Sequence, residues 1–165
     1  MAALTKAQKQ ANINKYADAI IDGTQKTTLL PSVAMAQLIL ETGYMQHVVG
    51  KNLFGIKANG AKTAYWNGAA VKAGTQEYYS STPSNVTGLF RAYNSEADSI
   101  KDRTAFLQTN SRYRNVFKAT TAEQQCFELQ KAGYATAPDY AKLLKSIIAT
   151  WNLKELDKKK TLCEL

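Results

Sequence analysis

Glu41 and Glu77 are the two carboxylates of this chain whose settings suit acid–base chemistry. Glu41 closes an apolar run, Ser32-Val33-Ala34-Met35-Ala36-Gln37-Leu38-Ile39-Leu40-Glu41-Thr42-Gly43-Tyr44. A helix over that run buries its apolar residues and exits at Gly43, which leaves the carboxyl at the edge of a core. Its charged form is poorly hydrated there, so its pKa is expected to rise toward the working range of a general acid. A Glu near a helix end is ordinarily solvated or paired with a cap. The apolar neighbours, and the segment Asn52-Leu53-Phe54-Gly55-Ile56-Lys57 that follows, argue against that ordinary role. Glu77 lies in Thr75-Gln76-Glu77-Tyr78-Tyr79, beside aromatics. In a strand, alternate side chains share one face, and that face can line a groove opposite Glu41. Spacing alone leaves Glu77 open between groove and solvent.

The other carboxylates fall mostly on polar helix faces. Asp18, Asp22, Glu96, Asp102, Glu123, Glu128, Glu155 and Asp157 read as solvating or surface-pairing groups. A metal site has no support. His47 is the only histidine and reads as a loop residue, and Cys126 and Cys163 have no ligand spacing. Cys126 reads as a buried thiol in an amphipathic helix, and a disulfide between the two has little support.

The elements that must position the carboxylates follow from periodicity and punctuation. Residues 5–23 read as a helix capped by Thr5 and stopped by Gly23. A second begins at Leu30-Pro31-Ser32, with Pro31 in the first turn, and ends at Gly43. Residues 45–60 read as loop. Residues 62–93 are rich in aromatic and β-branched types, with turn chemistry at Asn67-Gly68 and Pro83-Ser84-Asn85, and form the candidate antiparallel sheet. Helices return from Ser95, around Tyr113–Phe117, from Thr121 to Gly133, and from Pro138 through Trp151. Residues from about 154 to 165, including Lys158-Lys159-Lys160, read as a solvated polar tail. The order of elements predicts a single α+β domain, a mainly helical body with a small β-lobe flanking a groove.

Four segments in order resemble the glucosaminidase family of peptidoglycan hydrolases, glycoside hydrolase family 73. They are the Glu41-Thr42-Gly43 exit with Asn52-Leu53-Phe54-Gly55-Ile56-Lys57, Thr75-Gln76-Glu77-Tyr78, Phe90-Arg91-Ala92-Tyr93, and Ala132-Gly133-Tyr134-Ala135-Thr136. The resemblance runs from about Leu30 to Asn152 and implies a lysozyme-like fold. It also implies Glu41 as general acid, Glu77 as second carboxylate and Tyr134 as a residue of the active-site cleft. Asn52, Phe54, Tyr78 and Tyr93 are the expected substrate-side residues, with Asn52 and Phe54 read as structural or wall residues near Glu41. Among the other aromatics, Tyr65, Trp66 and Tyr79 read first as packing. One departure is Ala137, where members of the family often carry Asp before Pro. Any role of that carboxylate is lost or moved to Asp139.

The resemblance implies an endo-β-N-acetylglucosaminidase that cuts the β-1,4 bond between N-acetylglucosamine and N-acetylmuramic acid, with no cofactor or metal. The rivals are a muramidase or lytic transglycosylase on the same architecture, a non-catalytic wall-binding module and a basic nucleic-acid binder. The net charge of +8 draws the chain to polyanions, among them an acidic cell wall. No nucleic-acid motif is recognisable, and no stretch approaches a membrane span. The expected partner is bacterial peptidoglycan, met by a monomer. The first residues lack an apolar signal region. The chain is therefore expected to be made in the cytoplasm and to reach the wall through a holin or secretion apparatus, as a phage endolysin or similar lytic enzyme does.

Overall fold

A computed structural model describes residues 2–164. Helix α1 spans Lys6–Thr24. Its Thr5 cap accepts from the Gln8 amide while the Gln8 side chain accepts from the Thr5 amide, a reciprocal capping box. Gly23 does not stop this helix. It lies inside α1, where a Cβ would stand 2.5 Å from Ile100 Cγ2. Its role is close approach of two helices.

Helix α2, Pro31–Thr42, is the centre of the molecule, with every residue from Pro31 to Ile39 buried. A helix apolar on all sides must be enclosed on all sides, and α2 packs against four other helices. Gly43 ends it at φ 57, a left-handed conformation that glycine adopts without penalty.

The β-lobe is one two-stranded antiparallel hairpin, β1 Ala70–Tyr79 and β2 Thr82–Arg91. Its register pairs Glu77 with Ser84, Thr75 with Val86 and Val71 with Phe90. The inner face carries Val71, Ala73, Thr75 and Glu77, while Ala70, Lys72, Gly74 and Gln76 are exposed and Tyr78 is half-buried. The reversal falls on Ser80-Ser81, both at positive φ, rather than on the expected turn residues. Asn67-Gly68 precedes β1, and Pro83 lies within β2. Each strand of a two-stranded sheet is an edge, which is where a proline is tolerated.

The helices that follow are α3 Glu96–Thr109, a 3-10 turn Ser111–Tyr113, α4 Arg114–Lys118, α5 Ala122–Lys131, α6 Tyr140–Thr150 and α7 Lys154–Glu164. Ser95 and Thr121 cap α3 and α5 as expected. The supposed polar tail is helix α7, packed on α1 and α2. Its Leu156 is buried. Lys160 is 5% exposed, and its ammonium donates to Thr27 O and Leu29 O. Asp157 accepts from Ser32 N at 2.8 Å and Ser32 Oγ at 2.7 Å. It caps α2 from another helix, because Leu30 at the N-cap has no side chain to do so.

Cys126 is buried, Cys163 is exposed, and both are free thiols. Among the described residues no helix is long and apolar enough to cross a membrane, and no cluster of metal-binding side chains occurs.

Candidate active site

A groove of about 550 Å³ runs between the β-lobe and the helical body. This is a volume that suits a small-molecule or oligosaccharide segment. Glu41 and Glu77 both line it, with Gly55, Lys57, Tyr78, Tyr134 and Tyr140 among their neighbours.

Glu41 reaches the groove from the last turn of α2. Its side chain meets solvent through the groove mouth, yet protein fills most of the volume around its carboxyl. Loss of hydration is the largest influence and pushes its pKa up to about 7. The charge of Glu77 adds to the rise, and a hydrogen bond from Tyr140 opposes it. Tyr140 Oη donates to Glu41 Oε1 at 3.3 Å. On the other side Gly55, at φ 64, leaves room for Oε2.

Glu77 is the opposite case. Burial alone would raise its pKa, but Lys57 and Thr136 together hold it below the usual carboxylate value. Lys57 Nζ lies 2.6 Å from Oε1. Thr136 Oγ1 donates to Oε2 at 2.7 Å and accepts from Tyr78 N at 2.9 Å. The strand alternation that sequence left open resolves toward the groove. Thr136 also ties the hairpin to the loop after α5.

Tyr134 lines the groove, stacks on Tyr140 with ring centroids 6.0 Å apart, and donates to Phe54 O at 2.9 Å. Burial raises its phenol well above the ordinary value, so it stays protonated. Tyr78 lines the groove from β1.

Three of the expected substrate-side residues are buried and outside the groove lining, which gives Asn52 and Phe54 the structural role and takes Tyr93 out of the substrate's reach. Phe54 is fully enclosed in the core. Asn52 holds the turn: its amide donates to Ile56 O and Arg91 O, and its Oδ1 accepts from Phe54 N and Ile56 N. Tyr93 donates to Asp102 Oδ2. Asp102, read as a surface group, is wholly buried. It also accepts from Arg91 Nη1 at 2.9 Å and from Thr63 Oγ1. Arg91 and Tyr93 of Phe-Arg-x-Tyr are therefore a scaffold that fixes the base of the hairpin to α3, while Phe90 lines the groove. Trp66 is buried against the Arg91 guanidinium, while Tyr65 and Tyr79 are exposed outside the groove lining. Asp139 also lies outside the lining, and Ala137 within it. No carboxylate of the 137–139 segment enters the site.

Sequence reading missed Lys57, Thr136 and Tyr140 as site residues. Lys57 and Thr136 stand in the quoted motifs without an assigned role. Tyr140 fell within the helix read from Pro138 through Trp151, with no role of its own.

A mostly helical body, a two-stranded lobe and two carboxyls on one groove, one with its pKa raised and one with it lowered, fit a lysozyme-like glycoside hydrolase. The sequence matches the Glucosaminidase family, described as mannosyl-glycoprotein endo-beta-N-acetylglucosaminidase, over residues 17–153. The chain belongs to this family. Peptidoglycan hydrolase FlgJ of Salmonella typhimurium is 40% identical over 121 residues, covering 69% of this chain and 37% of the relative. Exo-glucosaminidase LytG of Bacillus subtilis is 30% identical over 141 residues, covering 81% of this chain and 48% of LytG. The chain thus spans less than half the length of these relatives. Among solved structures, the glycoside hydrolase domain of S. typhimurium FlgJ in a C-terminally truncated form superposes with a TM-score of 0.66 at 31% identity, covering 87% of this chain and 97% of that one. A peptidoglycan hydrolase mutant from Sphingomonas sp. A1 gives 0.76 at 28% identity, covering 89% and 97%.

Proposed function

We propose that this protein is an endo-β-N-acetylglucosaminidase of bacterial peptidoglycan, cutting the β-1,4 bond between N-acetylglucosamine and N-acetylmuramic acid. The observation that carries this reading is the opposed pair, Glu41 with a pKa pushed up to about 7 and Glu77 held ionised on the same groove. Glycosidases separate two carboxyls in this way, one to protonate the leaving oxygen and one to act on the sugar's other face.

In this scheme protonated Glu41 gives its proton to the glycosidic oxygen as the C–O bond breaks. Positive charge grows on the anomeric carbon, and the Glu77 carboxylate stabilises it or orients the attacking water. Both Glu77 oxygens are engaged by donors. This lowers its nucleophilicity and suits an electrostatic or water-orienting role, leaving the substrate's N-acetyl oxygen as a candidate nucleophile. The phenols of Tyr134 and Tyr140 stay protonated at neutral pH and supply fixed dipoles.

The site of action would be the wall, reached from the cytoplasm with a membrane-permeabilising partner, as for a phage endolysin. Expression with and without such a partner, scored by culture lysis, tests the delivery. Mass spectrometry of digested, borohydride-reduced peptidoglycan tests the bond. Reduced N-acetylglucosamine ends support the proposal. Reduced N-acetylmuramic acid ends or anhydro sugars transfer it to a muramidase or transglycosylase.

A further inference from the structure

Arg103 is the largest fully buried side chain, 2% exposed, and it sits in α3 behind the groove. None of the described carboxylates pairs with it. Its Nη1 is the one buried side-chain nitrogen or oxygen among the described residues without a hydrogen-bond partner. A buried guanidinium without a counter-ion is costly, and such a departure from consistent packing marks a position held for function.

Its Nε donates to Gln37 Oε1 at 2.7 Å. Gln37 is buried in α2, one turn before Glu41, and its Nε2 donates to Tyr140 Oη at 2.9 Å. Tyr140 Oη donates to Glu41 Oε1 at 3.3 Å. These contacts form one chain from Arg103 to the acid.

Arginine has only donors, whereas a glutamine amide has one oxygen and one NH₂. A flipped Gln37 would set its NH₂ against the Arg103 donor and turn its oxygen toward Tyr140. The phenol proton could then go to Gln37. With Arg103 in place, the Gln37 oxygen is taken and its NH₂ must face Tyr140. The Tyr140 proton is thereby left for Glu41.

We propose that Arg103 and Gln37 are positioning residues that set the direction of this buried relay, so that Tyr140 donates to Oε1 and the transferable proton of Glu41 rides on Oε2. Oε2 is the oxygen that faces Gly55. The relay also stabilises the carboxylate left behind once the proton has gone. The Oε2 assignment rests on Glu41 as general acid, but the direction of the relay does not.

The other groups that face Glu41 are Tyr134 from the loop before α6, and Glu77 with its partner Lys57 from the lobe side. Tyr134 also feels the Arg103 charge, whereas Glu77 and Lys57 pair with each other and with Thr136 rather than with Arg103 or Gln37.

The test is a carboxyl-carbon NMR titration of Glu41 in the folded protein, which needs no turnover. Tyr140→Phe removes a donor to the charged form and should raise the Glu41 pKa by about one unit. Arg103→Met should raise it in the same direction, and Arg103→Lys should restore the wild-type value. In the Tyr140→Phe background Arg103→Met should add nothing. An equal shift in that background shows that Arg103 acts through space and overturns the relay. A wild-type value in Arg103→Met overturns it too. If Arg103→Met does not fold, the near-isosteric Gln37→Glu serves, since its carboxylate competes for the Tyr140 proton. It must raise the Glu41 pKa more with Tyr140 present than in Tyr140→Phe, and equal shifts sink the proposal. Absence of hydrolysis by the wild-type protein, with these titrations as expected, would instead count against the hydrolase reading and leave the relay standing.

Discussion

Gly55 and the Glu41 carboxylate occupy neighbouring space that a side chain cannot share: a Cβ on Gly55 would stand 2.7 Å from Glu41 Oε2. Gly55 also has φ 64, where a Cβ is strained in any case. Gly55→Ala should therefore push the carboxyl off its position as well as strain the turn. The expected outcome is a stability loss of about 1–2 kcal/mol with a fall in kcat of about 100-fold, the scale set by a small misplacement at a reacting centre. Calorimetry and initial rates measure the two effects separately. A stable variant with a wild-type rate would remove Gly55 from the site.

Glu41→Gln keeps the shape but has no proton to donate. Hydrolysis should fall by about 100- to 10,000-fold with the fold intact. In the proposed mechanism the active form of Glu41 is the protonated one, and its pKa is pushed up to about 7. Activity should thus decline as pH rises through about 7. The folded state holds this proton more tightly than the unfolded chain, so stability should fall as pH rises from the ordinary carboxylate range toward 7. Glu41→Gln should lose this contribution to the slope, and the difference between wild-type and variant thermal melts across this pH range checks it.

The body of the fold was legible because α2 announces itself. Its apolar run is bounded by Pro31 and Gly43, and both work as local physics says they must. The caps Thr5, Ser95 and Thr121 were equally local. What failed was long-range. Lys160 and Asp157 read as solvated charges because their partners, the carbonyls of Thr27 and Leu29 and the amide of Ser32, lie far away in the chain. Asp102 failed for the same reason, its partners Arg91 and Thr63 being on other segments. At the site, a carboxyl at a helix end drew attention by its type. Gln37, Tyr140 and Arg103 did not, because only the packing of α2, α3 and α6 brings them into line.

Thr136 holds Glu77 and the hairpin at once. Thr136→Val keeps the shape but removes the hydroxyl, so the Glu77 pKa should rise from its lowered position. In the proposed mechanism Glu77 works as an anion, so the acid side of the pH–rate profile should shift to higher pH. The alkaline side, set by Glu41, should move little. A shift of both limbs together would show that Thr136 acts on the fold rather than on Glu77. Lys57→Met should move the acid limb in the same direction, because it removes the other donor.

Helix α7 should matter for stability and not for chemistry. Asp157 supplies the N-terminal cap that Leu30 cannot give α2, through Ser32 N and Oγ. Replacing a capping side chain by Ala costs about 0.5–2 kcal/mol, and Asp157→Ala should fall in the upper half of that range because Ser32 Oγ loses its partner too. For a domain of this size, each kcal/mol lowers Tm by about 2–4 °C. Lys160→Met should cost at least as much, since it leaves the carbonyls of Thr27 and Leu29 without their donor. Neither residue lines the groove. The hydrolytic rate of either variant at a temperature well below its Tm should match wild type within about twofold, as expected for a site distant from the substitution. A large rate loss in a folded Asp157→Ala protein would mean that the cap reaches Glu41 along α2, and that α7 belongs to the catalytic machinery.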